Sequence, residues 1–443
     1  MKRALCSIVL ALSLLTASLT AASCDHAPGA APTAPATSPP PTQRVVDVPA
    51  GASMDQIDAC LAEAVADGSG TWLVFPAGKF PYSGVFIVPD GITVTGQGIW
   101  DQGRSDGGGG TWLQCTQGMD WGSDCSVNDM LVGMNTAGLA CTFHPVPRGS
   151  TAAGRTTDLY GSRHCTFRYV RFKGGSDDGA GLIDLDVNFG NGLWSGPVQT
   201  CDMIDTNWYD CEFERPQGSG SIMNIWLDCR AGGAQVYGNG WYRCHFGVKN
   251  GYRQGVEGYG IGQTILFQPA PAEHASDGPR PTGGRDDMSF NWSQVDHGFH
   301  DNHFEDCLFE YALWTPMDVC DYARSYALTN LFDGAVGSNP PTATQAAAIP
   351  DRMWNIDLSM TRCYSKGSTP DPHSLIGEFG KDCVFTDCFC GTGSPFGMAG
   401  RFGNVVSGSF SNADRPVSAI FPAGAAYDWT GTTTSYTPSP YDP

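Results

Sequence analysis

The residues of this sequence best equipped for chemistry are carboxylates gathered in a few polar stretches. Asp177 and Asp178 adjoin in KGGSDDG, and Asp286 and Asp287 adjoin in GRDDM. Asp301, Asp318 and Asp321 fall near His297, His300 and Arg324. An acid and a base held at a suitable separation can break a glycosidic bond, one protonating the leaving oxygen while the other attacks or activates water. Asp301, Asp318 and Asp321 are the first candidates for that pair. His297 beside them offers a group that titrates near neutrality. A second chemistry is possible where Lys249, Arg253 and Tyr259 cluster in WYRCHFGVKNGYRQGVEGY, in a chain with only six lysines. Lys249, Arg253, His297 or Tyr259 could neutralise a uronate carboxylate or take the neighbouring proton. Trp292 and Trp314 offer ring faces on which sugars stack. Tyr259, Arg324, Asp177 and Asp178 are the further ligand-binding candidates.

Each of these residues has a plainer reading. Asp205, Asp301, Asp357 and Asp382 all stand three residues before the first position of a recurring motif described below. A repeated aspartate of that kind commonly caps backbone N–H groups in a turn. The aspartate pairs could be solvated loop charges or oxygen ligands for Ca²⁺. The histidines, lysine and arginine could be ordinary loop residues, and the tryptophans could pack within their own loops. No C-x-x-C pair has zinc spacing. Carboxylate-driven hydrolysis needs no cofactor, whereas elimination from a uronate could use Ca²⁺.

Composition narrows the classes. The chain has 443 residues, a net charge of −20 and 57 glycines. Nucleic acids and anionic membranes call for a basic face, so neither is an expected partner. Lys2 and Arg3, an apolar run from Ala4 to Leu19 and the exit TAASC have the layout of a bacterial export signal. The signal is assigned to residues 1–23. Cleavage could fall before Cys24, leaving a lipid-anchored cysteine, or near Ala22 by the ordinary route. Residues 24–43, rich in Pro and Ala, read as an extended tether. The expected location is therefore outside the cytoplasm, either anchored to the envelope through Cys24 or released. Export permits disulfides among the fifteen remaining cysteines, with Cys115 and Cys125 a possible bridge.

The elements that must position these residues announce themselves by repetition. WYDCEF, WYRCHF and HFEDCLF each place an aromatic, a cysteine and a phenylalanine at fixed offsets. The apolar positions are Phe167-Val170-Phe172, Trp208-Cys211-Phe213, Trp241-Cys244-Phe246 and Phe304-Cys307-Phe309. Weaker copies follow at Met360-Cys363, Phe385-Cys388-Cys390 and Val405-Gly408-Phe410. The spacings at the cysteine position are 41, 33, 63, 56, 25 and 20 residues. Recurrence of a short strand-turn-strand unit implies stacked coils whose like side chains lie above one another. The longer spacings imply either one coil carrying insertions or two coils. The residue before each cysteine position (Asp210, Arg243, Asp306, Arg362, Asp387) should sit at a turn and face outward. Ahead of the repeats, SMDQIDACLAEAVA reads as a helix with a Ser53/Gln56 capping box and an apolar stripe of Ile57, Cys60, Leu61 and Val65.

A capping helix, the V-F-P-A-G strand end and the C-x-F rungs together resemble the right-handed parallel β-helix of the pectin-lyase-like superfamily. The resemblance implies an all-β solenoid over residues 44–422, with a capping helix and long loop insertions on one side, and a loose tail at 423–443. It also implies a fold used by polysaccharide lyases, glycoside hydrolases and phage tailspikes. Only SDDG (Ser176–Gly179) and QVDH (Gln294–His297) echo subfamily motifs. Three functions remain in play: a glycoside hydrolase acting on an extracellular polysaccharide, a polysaccharide lyase, and a non-catalytic glycan-binding surface protein. The enlarged spacings favour a working groove over a plain rod. A chain acting as a monomer is expected.

Overall fold

The computed structural model describes residues 43–134, 141–146, 151–152, 155–156, 162–174, 182–184, 202–214, 223–227, 236–247, 265–269, 299–310, 317–318, 348, 355–356, 358–366, 380–381, 384–390 and 405–407. The expectations for the export signal, tether, Cys24 and tail fall outside these residues. Among the described residues no helix is long and apolar enough to cross a membrane.

The chain opens with strand Val45–Asp47 and helix Met54–Asp67. Ser53 caps the helix as expected. Its Oγ accepts from the Gln56 N–H, and the Gln56 side chain accepts from the Ser53 N–H at 2.9 Å. The buried stripe is Ile57, Leu61 and Ala64, while Cys60 is half-buried and Val65 is 39 % exposed. The expected place of Val65 on that stripe is therefore corrected. Residues 57, 61 and 64 follow the i, i+4, i+7 line of one helix face, and position 65 has turned past it.

Beyond the helix the strands coil. One representative turn runs Met203–Ile204, Asn207–Tyr209, Glu212–Glu214, Met223–Leu227 and Val236–Tyr237, where the next turn begins. Each strand pairs in parallel with its counterpart one turn on. The result is a parallel β-helix with three sheets. The first has 18 strands, the second has seven and the third has six. A separate antiparallel pair joins Thr151–Ala152 to Arg155–Thr156.

The repeat is the core. In the first sheet one inward column runs Val46, Leu73, Val94, Val127, Phe167, Trp208, Trp241, Phe304 and Met360, and the strand register continues to Phe385 and Val406. The first four lack the aromatic-Cys-Phe signature, and sequence reading passed over them. Val406 rather than Val405 stands in register with Phe385, so the last expected copy is shifted by one residue. Trp241 pairs directly with Phe304, and Phe304 with Met360. The long spacings are thus single turns carrying insertions, not pairs of turns. Rings stack along the axis, with Phe167 and Trp208 4.0 Å apart, Trp241 and Phe304 4.3 Å apart, and Phe213 and Phe246 4.7 Å apart. Cys211, Cys244, Cys307, Cys363 and Cys388 form the adjoining buried column. Their sulfurs find carbonyl acceptors, as in Cys307 Sγ to Trp241 O at 3.3 Å. Cys115 and Cys125 are both free thiols, which overturns the bridge expected between them. Cys125 instead lies against Cys165, one turn away, because stacking sets which residues meet.

The residue before each cysteine position does occupy a bend. Asp210, Arg243, Asp306, Arg362 and Asp387 all have φ between 50° and 54°. Aspartate tolerates this left-handed conformation better than most residues, whereas arginine does so at a cost. The cost is offset along the stack, where acid and base alternate. Arg243 grips Asp210 through two bonds of 2.7 Å, and Arg362 grips Asp306 at 2.7 and 2.9 Å. Bidentate pairing of this kind fixes register as well as adding energy.

Burial pushes the thiols of Cys115, Cys244, Cys307, Cys363 and Cys388 well above their ordinary value, and that of Cys141 up to about 11. In the unfolded chain these groups ionise near 9.0. Above that pH the unfolded state has lost protons that the folded state retains, so stability falls as pH rises. Below it the contribution is fully present. The denaturant midpoint should therefore hold steady at neutral pH and drop once the solution passes about pH 9. Cys307→Ala should soften the drop; an unchanged pH dependence would count against this origin.

Candidate functional site

The long connections locate the site. From Thr166 to Ile356 each turn passes, after the first sheet, through the second sheet and then the third. Segments 175–181, 215–222, 248–264 and 311–316 lead into the second sheet, and segments 185–201, 228–235, 270–298 and 319–354 lead out of it. All the enlarged intervals therefore flank the second sheet. Its strands are Val85–Val88, Gly118–Trp121, Thr142–Pro145, Ile183–Asp184, Met223–Leu227, Ile265–Pro269 and Met317–Asp318.

Strand register puts ionisable residues in one file across this sheet. Ile87 pairs with Asp120, and Asp120 with His144. Ile183 stands opposite Phe143, which brings Asp184 beside His144. Asp184 pairs with Asn224, Asn224 with Leu266 and Leu266 with Asp318. The alternate residues Met119, Trp121, Phe143 and Ile183 belong to the core. Strand alternation therefore assigns Asp120 and His144 to the opposite face, and Asp184 stands in register with His144. Trp226 lies two residues on from Asn224 in the same strand.

Asp120 and His144 are closed off from solvent, at 0 % and 2 % exposure. Burial of a carboxylate and an imidazole is costly unless both are bonded. The His144 Nε2 lies 2.7 Å from the buried Thr142 Oγ1. Thr142 also explains Gly118. A Cβ there would come within 1.6 Å of the Thr142 carbonyl oxygen, and φ is +99°. Neighbouring turns are about 4.8 Å apart. Carboxylates at Asp120 and Asp184, with His144 between them, are thus about 9–10 Å apart along the file. Among the described residues of this file no two carboxylates occupy neighbouring turns.

Of the residues singled out from the sequence, Asp318 falls in this file. Asp301 does not. It sits in the turn between the third and first sheets, with φ 52° and 2.8 Å from His300 Nδ1. Asp205 occupies the equivalent turn two steps down the stack, with φ 49°, and Gly238 stands between them at φ 67°. The turn reading of this aspartate column describes its geometry. Asp177, Asp178, Lys249, Arg253, Tyr259, Asp286, Asp287, Trp292, His297, Trp314, Asp321 and Arg324 lie outside the described residues. Sequence reading missed Asp120, His144, Asp184 and Asn224. A signal was present in MDW, FHP, IDL, MNI and MDV, a polar residue framed by apolar ones. The irregular connections around these frames hid their recurrence.

The outer face of the first sheet is less suited to a sugar. Tyr209 and Tyr242 stack there at 4.9 Å and 11°, with Arg168 over the Tyr209 ring and His303 tilted against Tyr242. Each ring face is covered by its neighbour, leaving edges outward.

No family model and no curated protein matches the sequence. Several solved structures share its fold at 10–11 % identity. One is a protein of Geobacillus virus E2, with TM-score 0.44 and 10 % identity, covering 83 % of this chain and 57 % of its own. Another is a tailspike from Acinetobacter baumannii bacteriophage Fri1, a capsular polysaccharide depolymerase, with TM-score 0.41, 10 % identity and coverages of 84 % and 56 %. A third is a mannuronic acid specific polysaccharide family 6 lyase from human gut microbiota, with TM-score 0.39, 10 % identity and coverages of 85 % and 70 %. This chain spans somewhat over half the length of the first two.

Removing the Thr142 hydroxyl tests the support of the buried imidazole. Thr142→Val should cost about 1 kcal/mol, the net worth of one buried hydrogen bond. The denaturant midpoint reads this loss; no change would mean that the hydroxyl does not hold His144.

Proposed function

We propose that this chain binds and cleaves an extracellular polysaccharide along its second sheet. The observation that carries the reading is the file Asp120, His144, Asp184, Asn224 and Asp318, set in one register on the sheet that every enlarged connection flanks. A linear file on a solenoid suits a linear polymer, and flanking segments from successive turns can form the walls of a groove. The acidic balance of the chain and its six lysines fit a neutral or locally clamped glycan better than a strong polyanion.

Hydrolysis is the reading we favour. A solenoid can set carboxylates on alternate turns about 9–10 Å apart, near the separation used for inversion, where a water must fit between base and sugar. Neighbouring-turn carboxylates at about 5 Å would have suggested retention. In this scheme Asp184 acts at the glycosidic bond and Asp318 binds farther along the chain, while Asp120, closed off from solvent, does not touch the sugar. Ring faces at Trp226, and at Trp292 and Trp314 in the connections, would stack sugars. No metal is required. Export with anchoring at Cys24, and action as a monomer, complete the proposal.

The basic residues Lys249 and Arg253 in a lysine-poor chain favour one second reading, a lyase. An imidazole can take the proton next to a uronate carboxylate, with Lys249, Arg253 or Tyr259 neutralising charge and Ca²⁺ as a possible aid. One experiment separates the readings. The full chain is incubated with neutral and uronate polysaccharides, with and without chelator. New reducing ends and the ultraviolet absorbance of unsaturated uronate are followed together. Hydrolysis gives reducing ends alone, insensitive to chelator. Asp184→Asn should then lower kcat by on the order of 100-fold or more, while Asp301→Asn leaves it near wild type. Both signals rising together would establish elimination instead. Full activity in Asp184→Asn would remove the second-sheet site, and silence across the panel would leave a glycan-binding protein.

A further inference from the structure

Among the buried thiols, Cys125 and Cys165 meet sulfur to sulfur at 3.5 Å beside a buried hydroxyl. Cys125 precedes strand Ser126–Val132 and Cys165 precedes Thr166–Lys173, and these strands pair in register from Ser126 opposite Thr166. The Thr166 N–H donates to the Cys125 carbonyl at 3.0 Å, extending the register to the cysteines themselves. Both side chains are buried, and their sulfurs are 3.5 Å apart. In the column Cys244, Cys307, Cys363 and Cys388 each aim a sulfur at a carbonyl of the preceding turn and also meet the neighbouring thiols of the column, with no side-chain hydroxyl bonded to them among the described residues. Cys141 likewise meets the Cys115 carbonyl oxygen at 3.4 Å.

Polar groups gather around the pair. The buried Ser162 Oγ donates to the Gly122 carbonyl at 2.9 Å and lies 3.3 Å from Cys165 Sγ. Cys165 Sγ reaches the same carbonyl at 3.0 Å. A hydroxyl free to rotate can donate to a thiolate at Cys165, the form that attacks disulfides. Neighbouring parallel strands hold Cα atoms about 4.8 Å apart, inside the span of about 4.4–6.8 Å that a disulfide bridges. Small side-chain rotations would close the remaining gap.

We propose that Cys125 and Cys165 form an oxidisable dithiol that a small-molecule disulfide converts into a cross-link between neighbouring turns. The Cys165 thiolate attacks one sulfur of the reagent and releases one thiolate, leaving a mixed disulfide. The Cys125 thiolate then attacks the Cys165 sulfur and releases the second. Two electrons pass to the reagent, and the two cysteine protons end on the two released thiols. Because both sulfurs are buried, exchange proceeds through local opening of this corner. The cross-link closes segment 126–164, which carries His144 of the second sheet, into a covalent loop. The inference stands on the thiol geometry and is independent of the proposed activity.

The test uses the reduced full chain, incubated with glutathione disulfide below its unfolding temperature. Free thiols are then alkylated and the chain is digested without reduction for peptide mapping. The expected product is a peptide joining Cys125 to Cys165, formed ahead of any other pair and reversed by dithiothreitol. The oxidised chain should melt roughly 5 °C or more above the reduced one, as expected for closing a loop of this size. Cys125→Ser should abolish both the peptide and the shift; if that variant does not fold, the wild-type map decides alone. Recovery of both cysteines as alkylated thiols, or joined to other partners, overturns the proposal.

Discussion

Everything in this molecule depends on parallel pairing of each turn with the next in fixed register. A single-residue slip would carry the inward side chains of a strand to the outside. The sequence guards against this at two levels. Inside, rings stack on rings and sulfurs meet carbonyls, so that a slipped turn would face mismatched volumes. Outside, the alternating Asp210, Arg243, Asp306, Arg362 and Asp387 pair across turns in the matching register. The two devices act on opposite faces of the same bend and favour the same alignment.

The bend shows how local strain is tolerated. A non-glycine residue in the left-handed region is unfavourable by itself, yet the same conformation recurs at each step of the stack. Its backbone N–H still donates to the next turn, as from Arg243 to Glu305 O at 2.8 Å and from Asp306 to Thr361 O at 2.9 Å. The ladder therefore continues through the bend at Asp210, Arg243, Asp306 and Arg362. At the preceding corner, buried Thr206, Asn239 and Asn302 do similar work. The Asn239 side chain bonds the Met203 carbonyl and the Asn302 side chain bonds that of Val236. Sharp corners in a narrow coil bury backbone carbonyls, and a short amide reaches them without widening the turn.

Regular stacking also sets the chemistry available. A solenoid measures distance in steps of about 4.8 Å along its axis, so the choice of turns sets the separation of functional groups. Freedom remains at the corners. Both corners flanking the second sheet accept long segments, because a connection there leaves the paired strands undisturbed. The third-to-first-sheet corner stays tight, and Asp301 lies there.

The sequence alone determined the coil, because aromatic-Cys-Phe spacing encodes a stack of like side chains whether or not the connections are equal. It also determined the helix cap, a matter of residues three apart, and the outward bend before each cysteine. The early turns through Leu73, Val94 and Val127 were not legible, since small aliphatic residues fill the same column without a signature. The file on the second sheet was equally hidden. Asp120, His144, Asp184, Asn224 and Asp318 are separated by connections of unrelated length, and no fixed spacing links them. Only the register of the folded strands brings them into one file. The same holds for Cys125, whose neighbour is Cys165 and not the cysteine nearer in sequence. Contacts within a turn follow from local pattern, whereas contacts between turns depend on the length of every insertion, which only the tertiary structure resolves.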